Sequence, residues 1–106
     1  MPPAAEPQPA ADAPATGDII LRTATIANRR GLHARAAAKF VKLASQFKAQ
    51  VVVSKRGMEV SGLSIMGLMM LAAGPGCTIE MKGSGEDAAQ AVQALVDLVD
   101  SKFDED

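Results

Sequence analysis

The stretch NRRGLHARAAAKFVKLASQF, residues 28–47, decides the fold because the spacing of its apolar residues changes within it. From His33 onward, apolar side chains recur every three or four residues, which is the period of a helix with one buried face. We therefore predict an amphipathic helix from His33 to about Phe47 with a basic outer surface. Its apolar stripe comprises Ala36, Phe40, Leu43, Ala44 and Phe47, and its outer face comprises Arg35, Lys39, Lys42 and Gln46.

Four segments outside this helix are typical of β-strands. They are rich in β-branched residues or alternate apolar with charged residues, and Gly57 supplies a turn between the second and third. A short helix capped by Ser64 follows the third strand, and the glycines and proline of residues 72–76 end it. The predicted strands are Ile19–Ala27, Gln50–Ser54, Met58–Ser61 and Thr78–Lys82.

The last predicted element is a long helix whose apolar residues keep helical spacing from Ala88 to Phe103. Glu86 and Asp87 lie at its positive start, where carboxylates are favourable. The element order is therefore β-α-β-β-α-β-α. Helices with a single apolar stripe need a sheet to cover, so we predict an α+β fold with helices on one face of an antiparallel sheet.

Composition and charge limit what this domain can bind. Apolar residues make up 48% of the chain and charged residues 22%, which is typical of a soluble domain with one core. The formal net charge of −1 gives no reason to expect a nucleic acid or an anionic membrane as partner. No run reaches the ~18 apolar residues of a membrane span, and the lone Cys77 cannot form an internal disulfide. We therefore predict a cytoplasmic protein.

Residues 1–17 differ in composition from the rest of the chain. They hold all but one of the six prolines and much alanine, and they lack the basic start and long apolar run of a secretory signal. They are too poor in large apolar side chains to form a core. We therefore predict a disordered leader over residues 1–17 and one folded domain over residues 18–106.

The only histidine, His33, is the main candidate for chemistry. It lies where a loop turns into the predicted helix, so unpaired N–H groups and the positive end of the helix dipole favour a bound anion beside it. Imidazole is also a nucleophile near neutral pH. These features point to a histidine that carries a phosphoryl group, with Arg35 holding its oxygens. A surface cap at His33 and a solvated charge at Arg35 are the alternative interpretations of the residues alone.

Three pieces of the chain together match a known pattern: GLHAR at 31–35 after a strand, SIMGLM at 64–69, and a glycine-rich turn before the last strand. With them the chain resembles the histidine-containing phosphocarrier (HPr) family of the bacterial phosphotransferase system, including its nitrogen-related branch (NPr). The resemblance runs from about Ile20 to Phe103. Ala36 stands where the family usually has proline, and because alanine is a good helix former we expect the chemistry to survive.

The resemblance implies a fold and a reaction. The fold is an open-faced β-sandwich, in which three helices cover one face of a four-stranded antiparallel sheet. By the same resemblance, Enzyme I phosphorylates His33 on Nδ1 using phosphoenolpyruvate, and Arg35 assists the transfer. The phosphoryl group then passes to an EIIA-type acceptor. The family resemblance leaves open whether sugar transport or nitrogen regulation is the output.

The second matching piece bears on regulation and docking. By the resemblance, Ser64 matches the serine that an HPr kinase/phosphorylase modifies in some bacteria, and a structural role as helix cap can hold at the same time. Met66 and Met69 match the family's apolar docking surface, and we include Leu68 as a third partner contact. The cluster is too apolar for a short helix to bury entirely, and methionine suits a surface that fits several partners. Burial of the whole cluster in the core is the alternative.

The leading hypothesis is therefore a stoichiometric phosphoryl carrier that is not itself an enzyme. Enzyme I uses the phosphoenolpyruvate and Mg, so we expect no cofactor on this chain, and one histidine with one distant cysteine offers no metal ligand set. We expect a monomer with no nucleic-acid or membrane partner. The alternatives are a regulatory binding protein controlled by phosphorylation of Ser64 and a plain interaction domain without phosphoryl chemistry.

Overall fold

A four-stranded antiparallel sheet with strand order β1-β4-β2-β3 forms the base of the computed structural model, which describes residues 19–104. Three helices and a final 3-10 turn complete the described residues. The predicted leader, residues 1–17, lies outside the described residues. The elements are β1 (Ile20–Thr25), α1 (Ala34–Ala44), β2 (Gln50–Lys55), β3 (Met58–Ser61), α2 (Ile65–Met70), β4 (Thr78–Ser84), α3 (Ala88–Asp100) and the turn Lys102–Asp104.

The sheet register gives β4 a central place and divides its residues between two faces. Ile79 pairs with Ala24 of β1, and Met81 pairs with Val53 of β2. All four of these side chains are buried in one core cluster, while the alternating Glu80 of β4 is exposed. Because successive strand residues point to opposite faces, one face of the sheet is covered and the other meets solvent. This is the predicted open-faced β-sandwich.

The two long helices supply most of the core opposite the sheet. Phe40 of α1 and Val92, Leu95 and Val99 of α3 have no exposed surface. Burying each such side chain contributes roughly 1.5–3 kcal/mol. The helical spacing read from the sequence therefore identifies the core faces of α1 and α3 correctly.

Two predicted helices end earlier than expected. The helix α1 stops at Ala44 rather than near Phe47, and residues 45–47 continue in tight turns. The helix α3 stops at Asp100, and Phe103 enters the core from the 3-10 turn with a φ of 55°. Apolar spacing cannot distinguish a last helical turn from a looser one, because both return a side chain to the same face.

The carboxylate of Asp87 lies at the start of α3, as the sequence predicts. Asp87 is the N-cap residue, but its side chain makes no capping bond to the helix. Its Oδ2 instead accepts the backbone N–H of Lys48 at 2.9 Å, and its own N–H donates to the Lys48 carbonyl at 3.0 Å. The carboxylate therefore connects α3 to the segment before β2.

No helix within residues 19–104 is long and apolar enough to cross a membrane.

Candidate functional site

The loop between β1 and α1 is held at Gly31. This glycine has a φ of +67°, which disfavours a side chain. A Cβ there would lie 2.5 Å from the carbonyl oxygen of Ala73, a distance that no real Cβ tolerates. The next residue, Leu32, donates its N–H to that same Ala73 oxygen at 2.9 Å. The loop therefore approaches the segment after α2 so closely that only glycine fits.

His33 lies where the loop turns into α1, as the sequence predicts, and it is the N-cap residue of that helix. Its backbone is extended, with φ −81° and ψ −178°, and its Nδ1 accepts the N–H of Arg35 at 3.3 Å. Its carbonyl accepts the N–H of Ala37 at 2.8 Å, which begins the helical ladder. Since a nitrogen that accepts a hydrogen bond carries no proton, we assign the ring proton of the neutral imidazole to Nε2. The half-buried imidazole thus directs a lone pair at the amide of Arg35 in the first turn of the helix.

The residues after His33 are divided between solvent and core. Arg35 is exposed in the first turn of α1, close along the chain to the imidazole that its own N–H contacts. Ala36, in the position where proline is usual, is fully buried and lies within a regular helix that begins at Ala34. Alanine at this position therefore supports the helix start, as expected.

Ser64 caps α2 in the same manner as His33 caps α1. Its Oγ accepts the N–H of Gly67 at 2.9 Å, so the predicted capping role is confirmed. A Cβ at Gly67 would lie 3.0 Å from both the Ser64 hydroxyl and Cβ of Val60. The glycine therefore lets the cap and β3 approach this turn of α2.

The predicted docking residues do not share one environment. Met66 is 71% exposed and Met69 is 41% exposed, as a contact surface requires, but Leu68 is completely buried. The prediction that Leu68 contacts partners is therefore wrong. Its side chain points from α2 into the core, because one side of even a two-turn helix must pack against the domain. We call the exposed apolar residues the α2 patch: Leu63, Ile65, Met66, Met69 and Met70.

The α2 patch lies on a helix that packs against α1, the helix that His33 caps. Lys55, at the end of β2, donates from Nζ to the carbonyl oxygens of Leu71 at 2.9 Å and Ala72 at 3.2 Å. A lysine ammonium at this position satisfies carbonyl groups that have no helical partner. Sequence reasoning missed Lys55 because it is distant along the chain from the helix end that it caps.

Two further side chains near α1 depart from the sequence analysis. Lys39, assigned to the outer face, is half-buried and donates from Nζ to the carbonyl of Phe103 at 2.6 Å. Asn28, which received no role, is fully buried and bonds the His33 loop. No periodicity marks an isolated loop asparagine, so no sequence signal could have identified it.

Within residues 19–104, no three His, Cys, Asp or Glu side chains form a group that could hold a metal ion.

Comparisons with known proteins point to one family. Residues 20–101 match the family model described as "PTS HPr component phosphorylation site". The chain is 49% identical over 87 residues to the phosphocarrier protein HPr of Neisseria meningitidis serogroup B, covering 82% of this chain and 98% of that one. It is 48% identical over 84 residues to the phosphocarrier protein NPr of Shewanella violacea, covering 79% of this chain and 92% of that one.

Solved structures give the same result for the fold. The crystal structure of HPr-C-His from Thermoanaerobacter tengcongensis superposes with a TM-score of 0.78 at 44% sequence identity, covering 82% of this chain and 98% of that one. A phosphocarrier protein HPr from Bacillus anthracis superposes with a TM-score of 0.75 at 37% identity, covering 78% of this chain and 99% of that one. Residues 20–101, which the family model matches, include both capped helices and the whole sheet.

Proposed function

We propose, since this chain belongs to the HPr phosphocarrier family of the phosphotransferase system, that it accepts a phosphoryl group on His33 and passes it on. The donor is phosphoenolpyruvate-dependent Enzyme I, and the acceptor is an EIIA-type protein. The observation that carries the proposal is the position of Nδ1, 3.3 Å from the N–H of Arg35 at the start of α1. That nitrogen faces the groups best suited to stabilise an anion bound to it.

The transfer step follows from the assigned tautomer. The Nδ1 lone pair of His33 attacks the phosphorus of the phosphorylated donor, and a nitrogen–phosphorus bond forms. The bond from phosphorus to the donor breaks, and its electron pair leaves with Enzyme I. The proton on Nε2 stays in place, so the ring gains one positive charge beside the phosphoryl dianion. Attack by the EIIA nucleophile on the same phosphorus reverses these changes and restores the neutral imidazole.

The start of α1 supplies the stabilising groups for this step. The N–H of Arg35 donates to Nδ1 before transfer, and once the lone pair is used it becomes a donor to a phosphoryl oxygen. The exposed guanidinium of Arg35 adds charge-assisted hydrogen bonds to the same group. Phosphoryl transfer depends mainly on such positioning and charge stabilisation. The backbone N–H and the guanidinium of Arg35 therefore both stabilise the phosphoryl group.

In this proposal the α2 patch is the surface on which partner proteins dock. Its methionines are flexible and polarisable, which suits successive contacts with Enzyme I and an acceptor. In this proposal the chain acts as a cytoplasmic monomer and as a stoichiometric carrier, not an enzyme. Phosphoenolpyruvate and Mg are used by Enzyme I, and the chain needs no cofactor of its own.

The proposal is tested with Enzyme I and labelled phosphoenolpyruvate. We expect acid-labile label on the wild-type protein and none on His33→Asn. Asparagine is a good N-cap residue without a nucleophilic nitrogen, so this variant keeps the helix start and removes only the acceptor. Transfer of the label to an EIIA protein should follow. Wild-type protein that stays unlabelled, or a His33→Asn variant labelled at the wild-type rate, contradicts the proposal.

A second function, regulation at Ser64, is supported by the position of that serine. Ser64 begins the helix that carries the α2 patch, so a phosphate on its Oγ would place a dianion beside the docking surface. An HPr kinase with ATP should then give acid-stable label that Ser64→Ala removes. Labelled protein should accept phosphoryl groups from Enzyme I more slowly. An unchanged rate with fully modified Ser64 contradicts regulation of docking.

A further inference from the structure

Asn28 closes a tight turn around Gly31. It is fully buried, and no other polar or charged residue between positions 19 and 104 is buried to this degree. The side-chain Nδ2 of Asn28 donates to the Gly31 carbonyl at 2.8 Å, and the backbone carbonyl of Asn28 accepts the Gly31 N–H at 3.1 Å. Asn28 therefore bonds both the carbonyl and the N–H of Gly31, the first through its side chain and the second through its backbone.

The Gly31 carbonyl connects this turn to the histidine. The same oxygen that accepts Nδ2 of Asn28 also accepts the backbone N–H of His33 at 2.9 Å. The backbone of His33 determines where the imidazole stands above the first amides of α1. A shift of the Gly31 carbonyl would therefore move Nδ1 relative to the N–H of Arg35.

The other polar atom of the Asn28 side chain has an unfavourable environment. Its Oδ1 is buried and has no hydrogen-bond partner among the residues that the structure describes. An unsatisfied buried amide oxygen lowers stability, and an apolar side chain of similar size would avoid that loss. An asparagine that destabilises the domain through one atom and bonds the His33 loop through the other indicates a role in placing that loop.

We propose that Asn28 is a positioning residue for phosphoryl transfer, which acts through Gly31 to set the place of the His33 imidazole. This inference rests on the proposed carrier function. The effect of such a residue can be large, since a reacting group misplaced by about 1 Å can lower a rate by roughly 10²-fold. Asn28 itself does not touch the phosphoryl group in this proposal.

The decisive variant is Asn28→Leu, which removes the amide donor and the unsatisfied oxygen together while keeping a side chain of similar size. We expect thermal stability near that of the wild type and an Enzyme I-dependent kcat about 10-fold lower, with KM within about twofold. Asn28→Ala should show the same kcat loss with reduced stability. Val99→Ala is the matched control, because it destabilises the core on α3 and should leave kcat within about twofold of the wild type.

Nitrogen NMR of the imidazole separates this inference from the carrier proposal. The Nδ1 resonance of His33 should shift in Asn28→Leu and stay in place in Val99→Ala, because the bond from Arg35 N–H is disturbed only in the first. If wild-type protein accepts no phosphoryl group, the carrier proposal fails and this spectrum still decides the positioning role. A wild-type Nδ1 resonance in Asn28→Leu overturns the positioning role, and so does a kcat loss in Val99→Ala as large as that in Asn28→Leu.

Discussion

The starts of α1 and α2 are built alike but supported differently. At each, a side chain of the N-cap residue accepts a backbone N–H: Nδ1 of His33 accepts from Arg35 at 3.3 Å, and Oγ of Ser64 accepts from Gly67 at 2.9 Å. The helix α1 has eleven residues and buries Ala36, Ala37, Phe40 and Ala44, whereas α2 has six and buries only Leu68.

This difference explains how one small domain presents two kinds of surface. The long helix is held by its own buried face, so its first turn can direct amides and a cationic side chain at an anion. The short helix exposes most of its apolar residues, so its position depends on Leu68 and on the Lys55 ammonium at its end. Rigid support suits the transfer site, and exposed methionine suits docking.

Removing the anchor of α2 should have the largest effect. Leu68→Ala deletes a fully buried side chain, and we expect the free energy of unfolding to fall by about 2–5 kcal/mol. Urea denaturation measures this loss. The control is Met69→Ala, on the same helix but exposed, which should cost much less. Equal losses in the two variants would show that α2 is not anchored through Leu68.

Removing the cation at the start of α1 should affect transfer more than folding. For Arg35→Ala we expect phosphorylation by Enzyme I to slow by roughly 10²-fold, the usual effect of losing one donor to a developing anion. The unfolding midpoint should change little, because the side chain is exposed. Rapid-quench kinetics measures the rate. Lys42→Ala removes an exposed charge farther along α1 and should stay near wild type; a similar loss in both variants would indicate only general charge steering.

Removing the cap of α2 should have a moderate effect. Ser64→Ala leaves the Gly67 N–H without its acceptor, and we expect about 1 kcal/mol of lost stability. Thermal unfolding checks this value. Ser45→Ala, at the exposed end of α1, serves as the comparison and should cost less. If both serines prove equally dispensable, the α2 cap contributes no more than a solvated hydroxyl.

The smallest effect on stability is expected in the α2 patch itself. Met66→Ala changes a side chain that is 71% exposed, so the free energy of unfolding should move by less than about 0.5 kcal/mol. Affinity for Enzyme I, measured by calorimetry, should nevertheless weaken several-fold. Leu21→Ala, an exposed apolar residue on the edge strand β1, should leave that affinity unchanged. Weakening by Leu21→Ala alone would place the docking surface on the sheet rather than on α2.

Local patterns in the sequence predicted the features that depend on neighbouring residues. The Ser64 cap was identified because capping needs only a suitable side chain a few positions before the amide whose hydrogen bond it accepts. The start of α1 at His33 was identified because the apolar spacing changes there. The bounds of β3 were predicted as Met58–Ser61 and observed there, since a glycine turn and an apolar run mark them. The role of His33 as phosphoryl acceptor stays a prediction, because its chemistry is not visible in a resting structure.

Contacts between distant parts of the chain could not be predicted in the same way. Every face of α2 is apolar, so spacing did not reveal that Leu68 is the buried position. Lys39 was assigned to the outer face of α1 and Lys55 received no role, because the carbonyl groups that they contact lie far away in the chain. These errors share a cause. The burial or partner of each side chain depends on which segment packs beside it, and the packing of the whole core determines that segment.

The sequence by itself determined the order of strands and helices, the start of α1 near His33 and the Ser64 cap of α2, because apolar periodicity and capping act within a few residues. Only the tertiary structure decided that β4 lies between β1 and β2, that Leu68 is core, and that Asn28 holds the loop of His33. The first two outcomes come from packing between segments that are far apart in the chain, which local spacing does not reveal. The Asn28 bond spans only three residues, but an isolated loop asparagine carries no periodicity that would mark it.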